Sequence, residues 1–207
     1  MGLIQLLFRD PLTFLLLVIP LLYSIIIHEL AHGWVAYKMG DSTAKWLGRL
    51  SLNPIKHIDP IGTLMLFIFG FGWAKPVPIN INNFQDLRKG LIFVSSAGIA
   101  ANIILAFLSS LMIRLFSPLP LESLDIMLSY MERINIMLAA FNLIPIPPLD
   151  GSKILMGFTT GRFRYTLESL EPYGMFIIIG LLYLRVLDLP IAFFRWIIHG
   201  TIQLFLP

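Results

Sequence analysis

Long apolar runs, broken at only a few places by polar clusters, set the pattern of this chain. Residues 11–27, PLTFLLLVIPLLYSIII, carry no charge, and the apolar character continues past a His/Glu cluster as far as Tyr37. About 27 residues of this kind can cross ~30 Å of hydrocarbon with some tilt, which makes them the first expected span. Residues 90–113, GLIFVSSAGIAANIILAFLSSLMI, form a second span without a charge, with small residues on a face able to pack closely against another helix. A Pro-rich turn, SPLPLES, leads to a third expected span over 124–144, although Glu132 and Arg133 lie near its middle. Residues 173–187 and 189–206 read as a fourth and fifth, interrupted by Arg185, Asp188 and Arg195.

Between the first two spans the pattern changes. Residues 44–59, AKWLGRLSLNPIKHID, mix polar and apolar positions around an Asn-Pro breaker and suit a short hairpin or loop at the membrane surface. Residues 60–74 are apolar but short and punctuated by Gly62, Gly70 and Gly72, which favours a re-entrant or interfacial segment. The following KPVPININNF is loop or edge strand, since two prolines cannot continue a helix. After the third span, NLIPIPPLDGSK breaks the backbone while still near the membrane, which is tolerated only beside protein or a water-filled cavity. The expected fold is an all-α polytopic membrane protein, a single integral-membrane domain over 1–207, with a short membrane-associated β-hairpin or re-entrant region.

Composition supports that class. Of the 207 residues 57% are apolar and 13% charged, against about a quarter charged in soluble domains. The absence of cysteine excludes a disulfide framework and any thiolate metal site. A net charge of +3 comes from scattered basic residues that form no stripe, so no nucleic-acid partner is expected. Lys38, Lys45, Arg49 and Lys56 follow the first span, whereas only Arg9, balanced by Asp10, precedes it; the trailing end is expected to face the cytoplasm. With no small-residue cleavage site before the histidines, the first run reads as a retained span, not a removed signal peptide.

Two histidines and a glutamate are costly in lipid, and their spacing points to chemistry. His28, Glu29 and His32 form H-E-x-x-H, which on a helix puts both imidazoles on one face, able to share a zinc ion, with Glu29 placed to take a proton from a water on that ion. Two histidines leave such a site one protein ligand short. Asp150, just after the proline break, is the strongest candidate, although its position also suits an N-cap of the helix over GSKILMGF. His57 reads as a loop histidine bonded to backbone and His199 as an interfacial side chain, and both stay outside the metal site. Asn102, four residues after Gly98 in the second span, either bonds a neighbouring helix or faces a cavity. Asn142, just before the prolines, either donates to a developing oxyanion or caps the broken helix end.

HELAHG at 28–33, Gly98 with Asn102, and NLIPIPPLDG at 142–151 together resemble the site-2 protease family of intramembrane zinc metalloproteases, peptidase family M50. GRLSLNPIKHIDPIGT (48–63) and GWAKPVPIN (72–80) are similar to its compact prokaryotic members, and the chain has no room for the PDZ or CBS domains of larger relatives. The resemblance implies that His28, His32 and Asp150 hold Zn2+, that Glu29 is the general base, and that Asn142 holds substrate or steadies the oxyanion. It implies that Gly98 and Asn102 line the active-site region, that the first three spans form a catalytic core, and that residues 44–82 receive an unfolded substrate, with the PVPIN edge pairing to it. The expected activity is regulated intramembrane proteolysis of transmembrane protein substrates within a lipid bilayer, the prokaryotic inner membrane, with the site open toward the cytoplasm. A membrane metal transporter or channel using the His/Asp cluster as a transit site is the alternative, but it leaves Glu29 without a role. A scaffold with structural zinc would normally need a fourth protein ligand.

Overall fold

The computed structural model describes residues 3–70, 72–117 and 121–207. In chain order its helices are α1 (Leu3–Arg9), α2 (Pro11–Lys38), α3 (Thr43–Trp46), α4 (Pro60–Phe69), α5 (Leu87–Phe116) and α6 (Glu122–Asn142). They are followed by α7 (Asp150–Phe158), α8 (Gly161–Leu170), α9 (Gly174–Tyr183) and α10 (Asp188–Phe205).

The two longest helices begin where the sequence supplies a cap. Asp10 accepts the Thr13 amide at 3.0 Å with Pro11 in the first helical turn of α2, and Asp86 accepts the Lys89 amide at 3.0 Å at the start of α5. With 28 and 30 residues, α2 and α5 are the two described helices long and apolar enough to cross a membrane. Their outward faces carry exposed Leu12, Leu15 and Ile19 on α2 and Phe93, Ile104 and Leu108 on α5. Such continuous apolar exposure suits lipid rather than water.

The third core helix is defined by packing rather than hydropathy. α6 carries Glu122, Asp125, Glu132 and Arg133, yet it packs against both α2 and α5. Ile99 and Ala106 of α5, Ile136, Ala139 and Ala140 of α6, and Ile198 and Ile202 of α10 form one buried cluster in which the alanines let the helices approach closely. The fourth and fifth expected spans form one bent unit: Gly161–Tyr183 turns by 91° into α10 and amounts to at most one crossing. The break falls where Arg185 takes a left-handed conformation, φ 57°, which a helix does not continue through. The expected Pro-rich turn falls largely on residues 118–120, outside the described residues.

The expected β-hairpin does not form. Residues 44–59 contain only the single turn of α3 and a 3-10 turn at Pro54–Lys56, and the chain over 72–80 is extended but pairs with no strand among the described residues. Pro76 and Pro78 have no N–H to give a ladder. Three of the other amides are used elsewhere: Lys75 N–H donates to the His57 carbonyl (2.9 Å), Val77 N–H to Glu29 Oε2 (2.8 Å) and Asn80 N–H to Asp41 Oδ2 (2.8 Å).

Asp41 ties the end of α2 to that extended segment. Gly40 at φ +111° turns the chain so that the fully buried Asp41 carboxylate accepts from the Asn80 amide, the Thr43 amide and hydroxyl, and Asn83 Nδ2. Burial works against its charge, but the hydrogen bonds from Thr43, Asn83 and Asn80 outweigh that and hold its carboxyl below the ordinary range. A group of this kind stabilises the fold above its unfolded pKa and loses that contribution as pH falls through its lower folded pKa. Asp41→Ala is therefore expected to cost roughly 1.5–3 kcal/mol at neutral pH. In acid titration of the detergent-solubilised protein followed by thermal melting, the gap between wild type and variant should close below about pH 4; a constant gap would exclude the carboxylate as its source.

Candidate active site

α2 presents His28 and His32 one turn apart, and α5 lies flush against both rings at Gly98. A Cβ there would sit 2.4 Å from His32 Nε2 and 2.6 Å from His28 Cε1, so only glycine leaves the imidazoles room. The third group arrives from the far side of the proline break. α6 ends at Asn142, and the chain through Pro145–Pro148 delivers Asp150 as the first residue of α7. Leu149 occupies the cap position and α7 has no side-chain cap bond. The Asp150 carboxylate faces the imidazoles instead: Oδ2 lies 3.2 Å from His28 Nε2 and 3.2 Å from His32 Nε2, and the two Nε2 atoms are 2.9 Å apart.

All three residues are at least nine-tenths buried. His32 Nδ1 donates to the Val94 carbonyl at 2.7 Å, and His28 Nδ1 donates to Asn102 Oδ1 at 2.6 Å. With Nδ1 donating on both rings, imidazoles in the neutral form that binds a metal turn a bare Nε2 lone pair toward each other and toward Asp150 Oδ2, which has no hydrogen-bond donor. Three buried acceptors converging without a proton between them repel unless a cation joins them. Their separations are close to the ~3.3 Å edge of a tetrahedron with bonds of 2.0–2.1 Å, and two nitrogens with one carboxylate oxygen form a zinc donor set. The residues fit that ion.

Glu29, half-buried beside the triad, holds the Val77 amide through Oε2 at 2.8 Å and so anchors the extended segment along the site. A cleft of about 430 Å3 is lined by His28, Glu29, His32, Val77, Asn142 and Asp150. Asn142 does not cap the broken helix end through a loop amide; its Nδ2 donates back to the Leu138 carbonyl at 3.0 Å, while the side chain borders the cleft. Asn102 takes the first of its two expected places: fully buried behind His28, it bonds a neighbouring helix, its Nδ2 donating to Asn135 Oδ1 at 2.7 Å. His57 is buried and donates from Nε2 to the Ser51 carbonyl at 2.8 Å, and His199 lies 3.9 Å from Glu132. Neither joins the triad.

Sequence reasoning missed Asn135 and Ser24, both fully buried behind the triad, and the Val77 amide on Glu29. The signal for Asn135 was present: an uncharged amide between Ile134 and Ile136, seven residues before Asn142 and so on the same helix face. The neighbouring Glu132–Arg133 pair obscured it.

Comparison with known proteins agrees with this geometry. The model of peptidase family M50 matches residues 120–184, which include Asn142 and Asp150. A Bacillus subtilis protein named "Putative zinc metalloprotease YwhC" is 42% identical over 172 residues, covering 80% of this chain and 78% of its own. A Mycolicibacterium smegmatis protein named "Putative zinc metalloprotease Rip2" is 27% identical over 82% of this chain and 67% of its own, and a similarly named Methanocaldococcus jannaschii protein is 30% identical over 70% and 71%. No solved structure matches the chain at a significant level. With a buried His-His-Asp triad beside a glutamate and a relative of this identity along most of its length, the chain belongs to peptidase family M50.

Proposed function

We propose that this chain is an intramembrane zinc metalloendopeptidase that hydrolyses peptide bonds in or near the transmembrane segments of membrane-protein substrates, with residues 1–207 acting as one catalytic unit. The observation that carries the reading is the convergence of His28, His32 and Asp150 on one buried point with Glu29 beside it. His28 and His32 as neutral donors and Asp150 as the anionic one would hold Zn2+ and leave a fourth position for water or substrate. When bound, zinc supplies Lewis acidity, bringing a coordinated water toward a neutral pKa and polarising a carbonyl.

The chain's own residues do the rest. Glu29 takes the proton of the attacking water and passes it to the leaving amine nitrogen, which releases the new amino terminus. Its Oε2 is held by the Val77 amide, so the carboxylate is oriented before substrate enters. Asn142 commits one N–H to Leu138 and has a second with which to donate to the oxygen that gains charge as the carbonyl is attacked. Gly98 keeps both imidazoles seated against α5. The two apolar spans and their exposed faces support a bilayer environment. Lys38, 10 residues and ~15 Å along α2 from His28, supports a site sunk below the cytoplasmic face of a prokaryotic inner membrane.

The deciding test is cleavage of a labelled single-span membrane peptide by the protein reconstituted in lipid vesicles. Glu29→Gln is expected to lower cleavage by roughly 10²–10⁴-fold with zinc content unchanged, and chelation should abolish it. Equal cleavage by both proteins would remove Glu29 from the mechanism, and zinc flux that survives the substitution would favour a transporter. Asn142→Ala is expected to lower kcat by about 10²-fold with KM and zinc content near wild type; a purely positional helix-end role would leave kcat in place. Gly98→Ala should instead lose zinc, since its methyl enters the space of both rings; retained stoichiometry by metal analysis would contradict the close packing of α5 on α2.

A further inference from the structure

A line of hydrogen bonds runs from the triad into the middle of the bundle, and its direction is fixed at the far end. On α6, Asn135 Nδ2 lies 2.8 Å from the Met131 carbonyl and 2.8 Å from Ser24 Oγ. A backbone carbonyl can only accept, so the amide atom facing it is the nitrogen. Ser24 agrees, because its hydroxyl donates to Met131 Sδ at 3.3 Å and leaves its oxygen to accept from Asn135. Asn135 Oδ1 must then face Asn102, where it accepts from Nδ2 at 2.7 Å. The same nitrogen faces the Ser24 carbonyl at 3.4 Å, so Asn102 turns Oδ1 to His28 and accepts from Nδ1 at 2.6 Å. His28 is thereby held with its proton on Nδ1 and its Nε2 bare, toward His32 and Asp150.

We propose that Asn135 is a positioning residue for the metal centre: together with Asn102 it selects the His28 tautomer that binds the ion, across three helices and without touching ligand or substrate. The inference rests on the triad being the zinc site. Reversing Asn102 would set oxygen against oxygen at Asn135 and nitrogen against the proton on His28 Nδ1, and reversing Asn135 would set nitrogen against nitrogen at Asn102 and oxygen against the Met131 carbonyl, in a place no water reaches, since Ser24, Asn102 and Asn135 are all fully buried. Removing the Asn135 oxygen frees Asn102 to rotate, and the tautomer is no longer imposed. Supporting groups of this kind typically change metal affinity by roughly 10–100-fold.

The test is zinc affinity of the full detergent-solubilised chain, by competition with a chromogenic chelator, with the visible spectrum of the Co2+-substituted protein as a second readout. Asn135→Leu, close in volume but without an acceptor, is expected to weaken zinc roughly 10–100-fold and to change the Co2+ band shape. Asn135→Asp, which as the neutral acid donates its O–H to the Met131 carbonyl and keeps its other oxygen toward Asn102, should recover most of the affinity. Because both amides act through His28, Asn102→Leu combined with Asn135→Leu should bind no more weakly than Asn102→Leu alone. Ser110→Ala serves as the packing control, since Ser110 is buried and bonds only to Ala106 of its own helix. Should leucine prevent folding, Asn135→Ser, too short to reach Asn102, replaces it. Wild-type affinity and spectrum in the folded Asn135 variant, or losses that add in the double variant, would overturn the inference. A wild-type protein that binds neither metal would instead remove the zinc reading, and the inference with it.

Discussion

Three lone pairs directed at one another in a buried place are the constraint around which this molecule is arranged. His28 and His32 each spend the Nδ1 proton on an acceptor behind the ring, and Asp150 brings a negative oxygen to the bare side of both. Such a cluster is unfavourable by itself and becomes favourable with a divalent cation, so its burial marks a binding site rather than ordinary packing. The scaffold around it is built to permit that crowding. Helical spacing puts the imidazoles in register, Gly98 removes the side chain that would separate them from α5, and the proline break ends α6 so that the aspartate can approach from a different direction.

The same helix works at three depths. At its outward surface α2 offers Leu12, Leu15 and Ile19, at its inner face His28, His32 and Glu29, and beyond its end the buried Asp41. Glu29 and Asp41 each accept an amide from the extended segment 72–80, so the strip of chain bordering the cleft hangs from two carboxylates twelve residues apart in sequence. That segment has extended geometry without a sheet because two of its amides go to side-chain carboxylates and a third to an isolated loop carbonyl, not to a partner strand. The polar groups of the core are likewise paired inward, from Ser24 through Asn135 and Asn102 to His28, as a protein with lipid around it requires.

Much of this was legible from local pattern. Uncharged runs longer than a bilayer is thick, aspartates placed at helix starts, and two histidines four apart around a glutamate are properties of short windows, and a helix converts each into geometry by itself. α2, α5 and the paired imidazoles follow from that alone. Charge content was a poorer guide: Glu132 and Arg133 set α6 apart from the apolar spans, yet its Ile136, Ala139 and Ala140 face make it part of the core. Periodicity also could not separate an extended loop from a hairpin, since alternation is the same in both and only the destination of each N–H differs.

What the sequence by itself determined is the membrane character of the chain and one half of its metal site, because those depend on contacts within a few turns of helix. The tertiary structure decided the rest. It decided between the two places open to Asp150, setting it against residues more than a hundred positions earlier rather than on a helix end. It chose between the two places open to Asn102 by setting it behind His28, and it joined Asn135 to it. It also folded the last two apolar stretches into one bent unit. Each of these turns on which donor meets which acceptor, or which helix lies beside which, and no local spacing fixes a pairing between residues so far apart in the chain.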